Sequence, residues 1–285
     1  MEKLTLRSRA VVATCLGALA LASMVVIVSL AATQSADEPL AVMEFPTEGP
    51  FAYKVEYLGI TCGHMALESR LEEYEGRPAY HVVMTASNTR FFNKIYRVDG
   101  QIESWIDVET MGTIAYTSDI TERGRRKIRR FHVDFETGAA TAERRGKVRV
   151  IPFDVESALD PMAYVYRGRA LAGKTGSTFM LNLLTDDGVI ETGSEVGELK
   201  KFSTVDGKKR LLRVQPVTAN GEMFDRKGKF IYWIDPGPAR TAYRLEFHLP
   251  FGKLLAKYMG PAEGSFDRRT EAEKAEPTPT PPQKR

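Results

Sequence analysis

FAYKVEYLGITCGHMALESRL, residues 51–71, alternates twice about a glycine-rich bend. Tyr53, Val55 and Tyr57 fall on one face of the first segment, and Lys54 and Glu56 on the other. In the second segment Met65, Leu67 and Leu71 alternate with Ala66, Glu68 and Arg70. A period of two is that of a strand with one dry and one wet face. Gly59 and Gly63 free the backbone to bend or bulge, so the stretch predicts two antiparallel strands that open a curved sheet.

The same pattern continues along the chain. Glu75-Gly76-Arg77-Pro78 predicts a turn, and residues 79–86 a third strand in which Tyr80, Val82 and Met84 alternate with His81, Val83 and Thr85. Residues 90–97 are aromatic without alternation and read as a short helical turn capping one end of the sheet. Asp99-Gly100, Asp187-Gly188, Asp206-Gly207 and Asn220-Gly221 are hairpin signals, because both residues tolerate left-handed dihedrals. Further strands are expected over residues 114–121, 127–135, 147–153, 177–184, 210–217, 229–234 and 243–249. Ten or more short-linked strands imply a mainly β fold, a curved antiparallel sheet closing toward a barrel or half-barrel. One segment, residues 155–170, has helical spacing, with Leu159, Met162, Ala163, Tyr166 and Ala170 on one face. Asp160-Pro161 places its N-cap at Asp160, giving a short helix over about 160–170 packed on the sheet.

The 285 residues, 43% hydrophobic, suffice for one substantial core. The net charge of +3 falls to +1 without Glu2, Lys3, Arg7 and Arg9, so nothing in the overall balance points to nucleic acid. Those basic residues precede an unbroken apolar run from Ala10 to Ala32, the layout of an export signal with Ser29-Leu30-Ala31 at the cleavage spacing. The run is also long enough to span a bilayer, so a cleaved signal and an inner-membrane anchor are both open. Either way the domain is expected in the periplasm. The divisions are thus 1–36 signal or anchor, 37–48 linker, 49–260 β-rich domain and 261–285 a disordered proline-rich tail.

Four stretches carry a resemblance: residues 51–67, YRVDGQIESWID at 96–107, DPMAYVYRGR at 160–169 and GKFIYWID at 228–235. In this order, over about residues 49–260, the chain resembles the bacterial exported family called domain of unknown function 3108. The resemblance implies an envelope-located β-rich domain behind a signal peptide, and brings no catalytic residues, reaction or ligand. After Trp233 the chain departs from the family, with Ile-Asp-Pro-Gly-Pro in place of an Asp-rich turn.

Catalytic and metal motifs are lacking. Cys62 and His64, two apart in the opening bend, are the one nucleophile and base pair in reach of each other, but no orienting acid accompanies them, and the bland reading is a small bend residue. His81, His132 and His248 lie on different strands without ligand spacing, and His132 and His248 alternate with core residues and should point outward. No Gly-x-Ser-x-Gly elbow, Walker loop or dinucleotide fingerprint occurs, so neither metal nor cofactor is expected. Two binding features remain. Arg125, Arg126, Lys127, Arg129 and Arg130, with the basic residues of 144–149, would form a cationic strip for an anionic membrane surface if these segments pair as neighbours, against the plainer reading of a solvated hairpin. Tyr53, Tyr57, Met65, Leu67, Met84, Tyr116, Phe179, Leu181, Phe230, Tyr232 and Phe247 would line the inside of the curved sheet, as a filled core or as the wall of an acyl-chain site.

The expected function is therefore non-enzymatic: binding or helping transport a lipid or other amphipathic envelope component. The alternative is a membrane-tethered structural or protein-interaction module.

Overall fold

A computed structural model describes residues 49–152, 158–217, 229–249 and 252–262. The expected signal or anchor, the linker, the Asn220-Gly221 hairpin and nearly all of the proline-rich tail lie outside the described residues. The first half of the chain forms β1 (Phe51–Tyr57), β2 (Ile60–Tyr74), β3 (Arg77–Asn88), α1 (Arg90–Ile95), β4 (Val98–Asp107), β5 (Thr113–Glu122), β6 (Arg125–Asp134), β7 (Ala139–Arg144) and β8 (Lys147–Pro152). The second forms β9 (Ala158–Leu159), α2 (Pro161–Leu171), β10 (Thr178–Thr185), β11 (Gly188–Thr204), β12 (Gly207–Val217), β13 (Lys229–Ile234), β14 (Ala242–Leu249) and β15 (Gly252–Pro261).

All fifteen strands join one sheet, in the order β8 to β1, then β15 to β9. The opening strand therefore lies at the centre, paired with β2 on one side and β15 on the other. Every pairing is antiparallel except the short one between β9 and β10. The sheet curves without closing, with β8 and β9 as its edges. The concave face carries the apolar side of the alternation, from Tyr53 and Val55 on β1 to Phe131 and Val133 on β6, and the convex face carries most of the charge.

Several local expectations change. Asp99-Gly100 makes no turn; it lies inside β4, and α1 makes the connection from β3. A side chain at Gly100 would stand 2.8 Å from the Asp119 carbonyl oxygen, so glycine there serves a close strand approach. The opening bend is a two-residue turn at Leu58-Gly59, not a loop over residues 59–63. Leu71, expected on the dry face, is exposed, because the 15-residue β2 outruns the 7-residue β1 and leaves that end without a neighbour on one side.

The helix sits against the concave face and plugs one end of it. Its N-cap Asp160 accepts from the backbone of Met162 at 2.7 Å and Ala163 at 3.2 Å, and from the hydroxyls of Ser104 on β4 and Thr113 on β5. Arg167 donates to the carbonyl of Thr110 in the β4–β5 turn, and the fully buried Arg169 to that of Arg240 in the β13–β14 turn at 2.9 Å. Nearly every side of α2 is buried, so the single apolar face with Ala170, itself only half-buried, is too narrow a description.

Ion pairs hold the two halves of the open sheet together. Asp186, in the β10–β11 turn, lies 2.9 Å from Arg129 on β6 and 2.8 Å from Arg144 on β7, and Asp187 lies 2.7 Å from Arg149 on β8. Arg129 and Arg144 are direct cross-strand partners, so Asp186 offsets a like-charge repulsion. Asp186→Asn is expected to cost about 2 kcal/mol, less than a fully buried pair because Arg144 is half in water. An unchanged urea midpoint would show that the clasp contributes nothing.

Candidate functional site

The two ends of the curved sheet differ. Helix α2 closes the end that holds the β4–β5 and β13–β14 turns. The other end carries the β1–β2 turn, α1 and the β5–β6 turn, and its inner wall is apolar. There Met84, Ala86, Val98, Gly100, Ile102 and Ile120 line a shallow groove. Its volume of about 10 Å³ is room for about one water, so the groove is collapsed as it stands. Half-buried Met84, unbranched and adaptable, is the side chain best able to open it.

The eleven residues expected inside fall into two sets. Tyr53, Tyr57, Met65, Leu67, Tyr116, Leu181 and Tyr232 are buried in close packing. Tyr53 is 1% exposed, donates to the Ala242 carbonyl at 2.9 Å and meets Tyr258 edge-on. Met84, Phe179, Phe230 and Phe247 keep partial exposure, and Phe230 stacks on Phe247 at 4.7 Å. The accessible four do not make one rim: Met84 lies on the groove, Phe230 and Phe247 stack on each other, and Phe179 lies beside Gly168 of α2, with a filled interior between.

The basic run of β6 does not lie on one face. With Phe131 and Val133 inside, Lys127 and Arg129 share their side, while Arg126 and Arg130 point to the convex side. Arg126 pairs with Asp119, Lys127 with Glu122, Arg129 with Asp186 and Arg130 with Glu143. β6, β7 and β8 do pair as neighbours, but alternation splits their charges between faces and carboxylates offset most of them.

Cys62 and His64 do not face each other. The β1–β2 register shifts between Val55 and Glu56, which makes Cys62 the extra residue of a bulge. The thiol turns into the core beside the Val55 carbonyl, where burial pushes it up to about 11, and His64 points into solvent. A thiol so protonated is a poor nucleophile. His132 and His248 point outward, each beside a glutamate.

A polar cluster on the convex face went unread in the sequence. His81 is fully buried, stacked on Trp105 at 4.4 Å, with Glu72 at 3.0 Å on one ring nitrogen and Glu103 at 3.1 Å on the other. Burial raises the Glu72 carboxyl, but the hydrogen bond and charge of His81, with Trp105 and Arg70, outweigh it and set it at about 2. Both ring nitrogens are engaged, so the cluster satisfies itself and leaves no position for a substrate. Lone alternation made His81 look like any wet-face residue; only the neighbouring β4 shows what covers it. Elsewhere on this face a depression of about 400 Å³ runs past Ala52, Lys54, His64, Ala66, Thr85 and Met259. Among the described residues no three His, Cys, Asp or Glu side chains are grouped to hold a metal, and no helix is long and apolar enough to cross a membrane.

A family model described as "Protein of unknown function (DUF3108)" matches residues 52–259. Among solved structures, the chain is similar to a beta-barrel-like protein of the domain of unknown function DUF1849 from Brucella abortus. The TM-score is 0.49 at 11% identity, covering 74% of this chain and 94% of that one. A DUF1089 family protein from Pseudomonas aeruginosa gives a TM-score of 0.35 at 11% identity, covering 63% and 87%. No curated protein matches.

Proposed function

The chain belongs to the DUF3108 family, and on that footing we propose that it is a non-enzymatic envelope protein that binds the acyl chain of an amphipathic molecule at the open end of its curved sheet. The observation that carries this reading is the asymmetry between the ends. One is sealed by α2 and its arginine contacts, and among the described residues the other carries the apolar groove with half-buried Met84, and the stacked, half-buried Phe230 and Phe247 on β13 and β14. Because the interior behind the groove is packed, the chain of the ligand lies along the groove after Met84 rotates, and is not swallowed whole. The apolar run 10–32 supports delivery to the periplasm, as a cleaved signal or as an anchor.

The purified full chain, freed of lipid and titrated with a fluorescent fatty acid, tests this. Saturable uptake is expected, weakened at least about tenfold in Met84→Glu, since a carboxylate would have to be desolvated beside the bound chain. Non-saturable uptake, or uptake indifferent to Met84→Glu in a variant that still folds, would sink it. Either result would favour the structural or interaction module, for which the filled interior is the supporting observation.

A further inference from the structure

The rim of the open end gathers exposed apolar side chains beside basic ones. Leu58 and Ile60, at the β1–β2 turn, are 63% and 62% exposed, and Phe91 and Ile95, on α1, are 65% and 43% exposed. These two elements are neighbours: β2 and β3 pair through Gly63 and Asn88, and the Thr89 amide donates to the Cys62 carbonyl at 2.9 Å. The β5–β6 turn adjoins α1, with the Arg123 amide on the Arg97 carbonyl and its guanidinium 4.5 Å from the centre of the Tyr96 ring. Arg90, Lys94, Arg97, Arg123 and Arg125 are all exposed on this rim. Glu122 is taken by Tyr96 and Lys127, and Asp119 by Arg126.

Leu58 adds a second observation. Among the described residues, four two-residue turns place a non-glycine residue at positive φ ahead of a glycine: Leu58-Gly59, Glu75-Gly76, Arg123-Gly124 and Arg145-Gly146. Asn or Asp is favoured at such a position, and any other side chain is strained there. Three of the four turns carry a charged residue that gains water by sitting at the tip. At Leu58, φ 50°, the strain instead holds an isobutyl group that stays mostly exposed, although its Cδ2 lies over Gly252 at the start of β15. A mostly exposed apolar tip held at that cost is the pattern of strain kept for a contact outside the domain.

We propose that this rim is a membrane-docking surface, in which Leu58, Ile60, Phe91 and Ile95 enter the interfacial layer of an anionic bilayer and the surrounding Arg90, Lys94, Arg97 and Arg125 engage its phosphates. Apolar tips inside a basic collar match a surface whose charge is outermost and whose hydrocarbon lies just beneath it. Docked in this way, the open end of the sheet faces the bilayer. The proposal shares its location with the acyl-binding reading but stands on different residues, and lipid contact is read separately from uptake of a soluble fatty acid.

The full chain carrying Phe91→Trp, mixed with vesicles of brominated lipid, provides the test. Quenching of the added tryptophan is expected with phosphatidylglycerol vesicles and not with phosphatidylcholine alone. It should be lost when Arg90, Lys94, Arg97 and Arg125 are all changed to Gln. A chain carrying Leu71→Trp instead, at an exposed site on the opposite end of β2, should stay unquenched and so separates rim docking from contact made by residues 10–32. Leu58→Asn relieves the turn and should fold at least as well as the natural chain, yet dock more weakly. Absence of quenching with phosphatidylglycerol, equal quenching in both lipids or at both positions, or emission from Phe91→Trp already shielded from aqueous quencher before lipid is added, would each overturn the proposal. The last of these would mean that the chain covers its own rim.

Discussion

Asp160→Ala is expected to destabilise the domain by about 3 kcal/mol and to loosen α2 from the sheet. The Asp160 carboxyl is fully buried and accepts four hydrogen bonds, two from the first turn of α2 and two from Ser104 and Thr113. Loss of an N-cap alone costs about 1–2 kcal/mol, and each buried hydroxyl left unsatisfied adds about 1–3 kcal/mol. Relief of the buried charge offsets part of that sum. Burial is the largest influence on this carboxyl and holds it above the usual carboxylate range, against the four hydrogen bonds. A folded-state value above the unfolded one means that Asp160 supports folding most fully below its ordinary pKa of about 4, and less as pH rises through the folded value. Asp160→Asn keeps an acceptor for the cap and carries no charge. Its stability relative to the natural chain should therefore improve from about pH 4 toward neutrality. Urea unfolding at several pH values reads both effects. A difference independent of pH would refute the assignment of the charge, and an alanine variant of natural stability would refute the cap.

The second large effect reverses an ordinary rule. Alanine in place of glycine inside a helix normally stabilises by up to about 1 kcal/mol. At Gly168 in α2 the new methyl would stand 2.3 Å from the hydroxyl of Tyr232, whose ring is fully buried and cannot retreat. Gly168→Ala is expected to cost about 2 kcal/mol net, overpacking outweighing propensity. The Tyr232 hydroxyl has no hydrogen-bond partner among the described residues, so Tyr232→Phe alone should be neutral or slightly stabilising. Combined, the two changes should restore close to natural stability, a coupling that a double-mutant cycle measures directly. A stabilising Gly168→Ala, or a double variant no better than the single, would show that the contact does not hold the helix where it lies.

Much of the architecture is legible because its signals are local. The alternation of Tyr53, Val55 and Tyr57, the Asp187-Gly188 and Asp206-Gly207 turns and the Asp160-Pro161 helix start all act within a few residues. The strands that escaped are those whose local signal is weak. β7 offers only Ala140 and Ala142 as apolar residues on its dry side, with Arg144 beyond them, and β15 begins within three residues of the end of β14. β11 spans 17 residues with a bulge between Val196 and Leu199 that breaks the period. A bulge also parted Cys62 from His64, because one extra residue reverses every later side chain.

The candidate site was less legible than the fold. Seven of the eleven inward residues are packed, and Phe179, one of the four that keep partial exposure, lies against α2 itself, a neighbour that alternation could not name. The basic run was visible, but Asp186, in a turn remote in sequence from Arg129 and Arg144, could not be paired with them in advance. The rim residues Leu58, Ile60, Phe91 and Ile95 looked like ordinary apolar members of strands and a short helix.

By itself, the sequence determined that the chain is an alternating β structure, where several of its hairpins turn and where its main helix begins, since dihedral preference and side-chain period are properties of neighbouring residues. Only the tertiary structure decided that β1 meets β15, that Arg169 and His81 are buried, that the sheet stays open and that one of its ends is sealed while the other is greasy and basic. Those outcomes depend on contacts between residues far apart in the chain, whose partners no local pattern names.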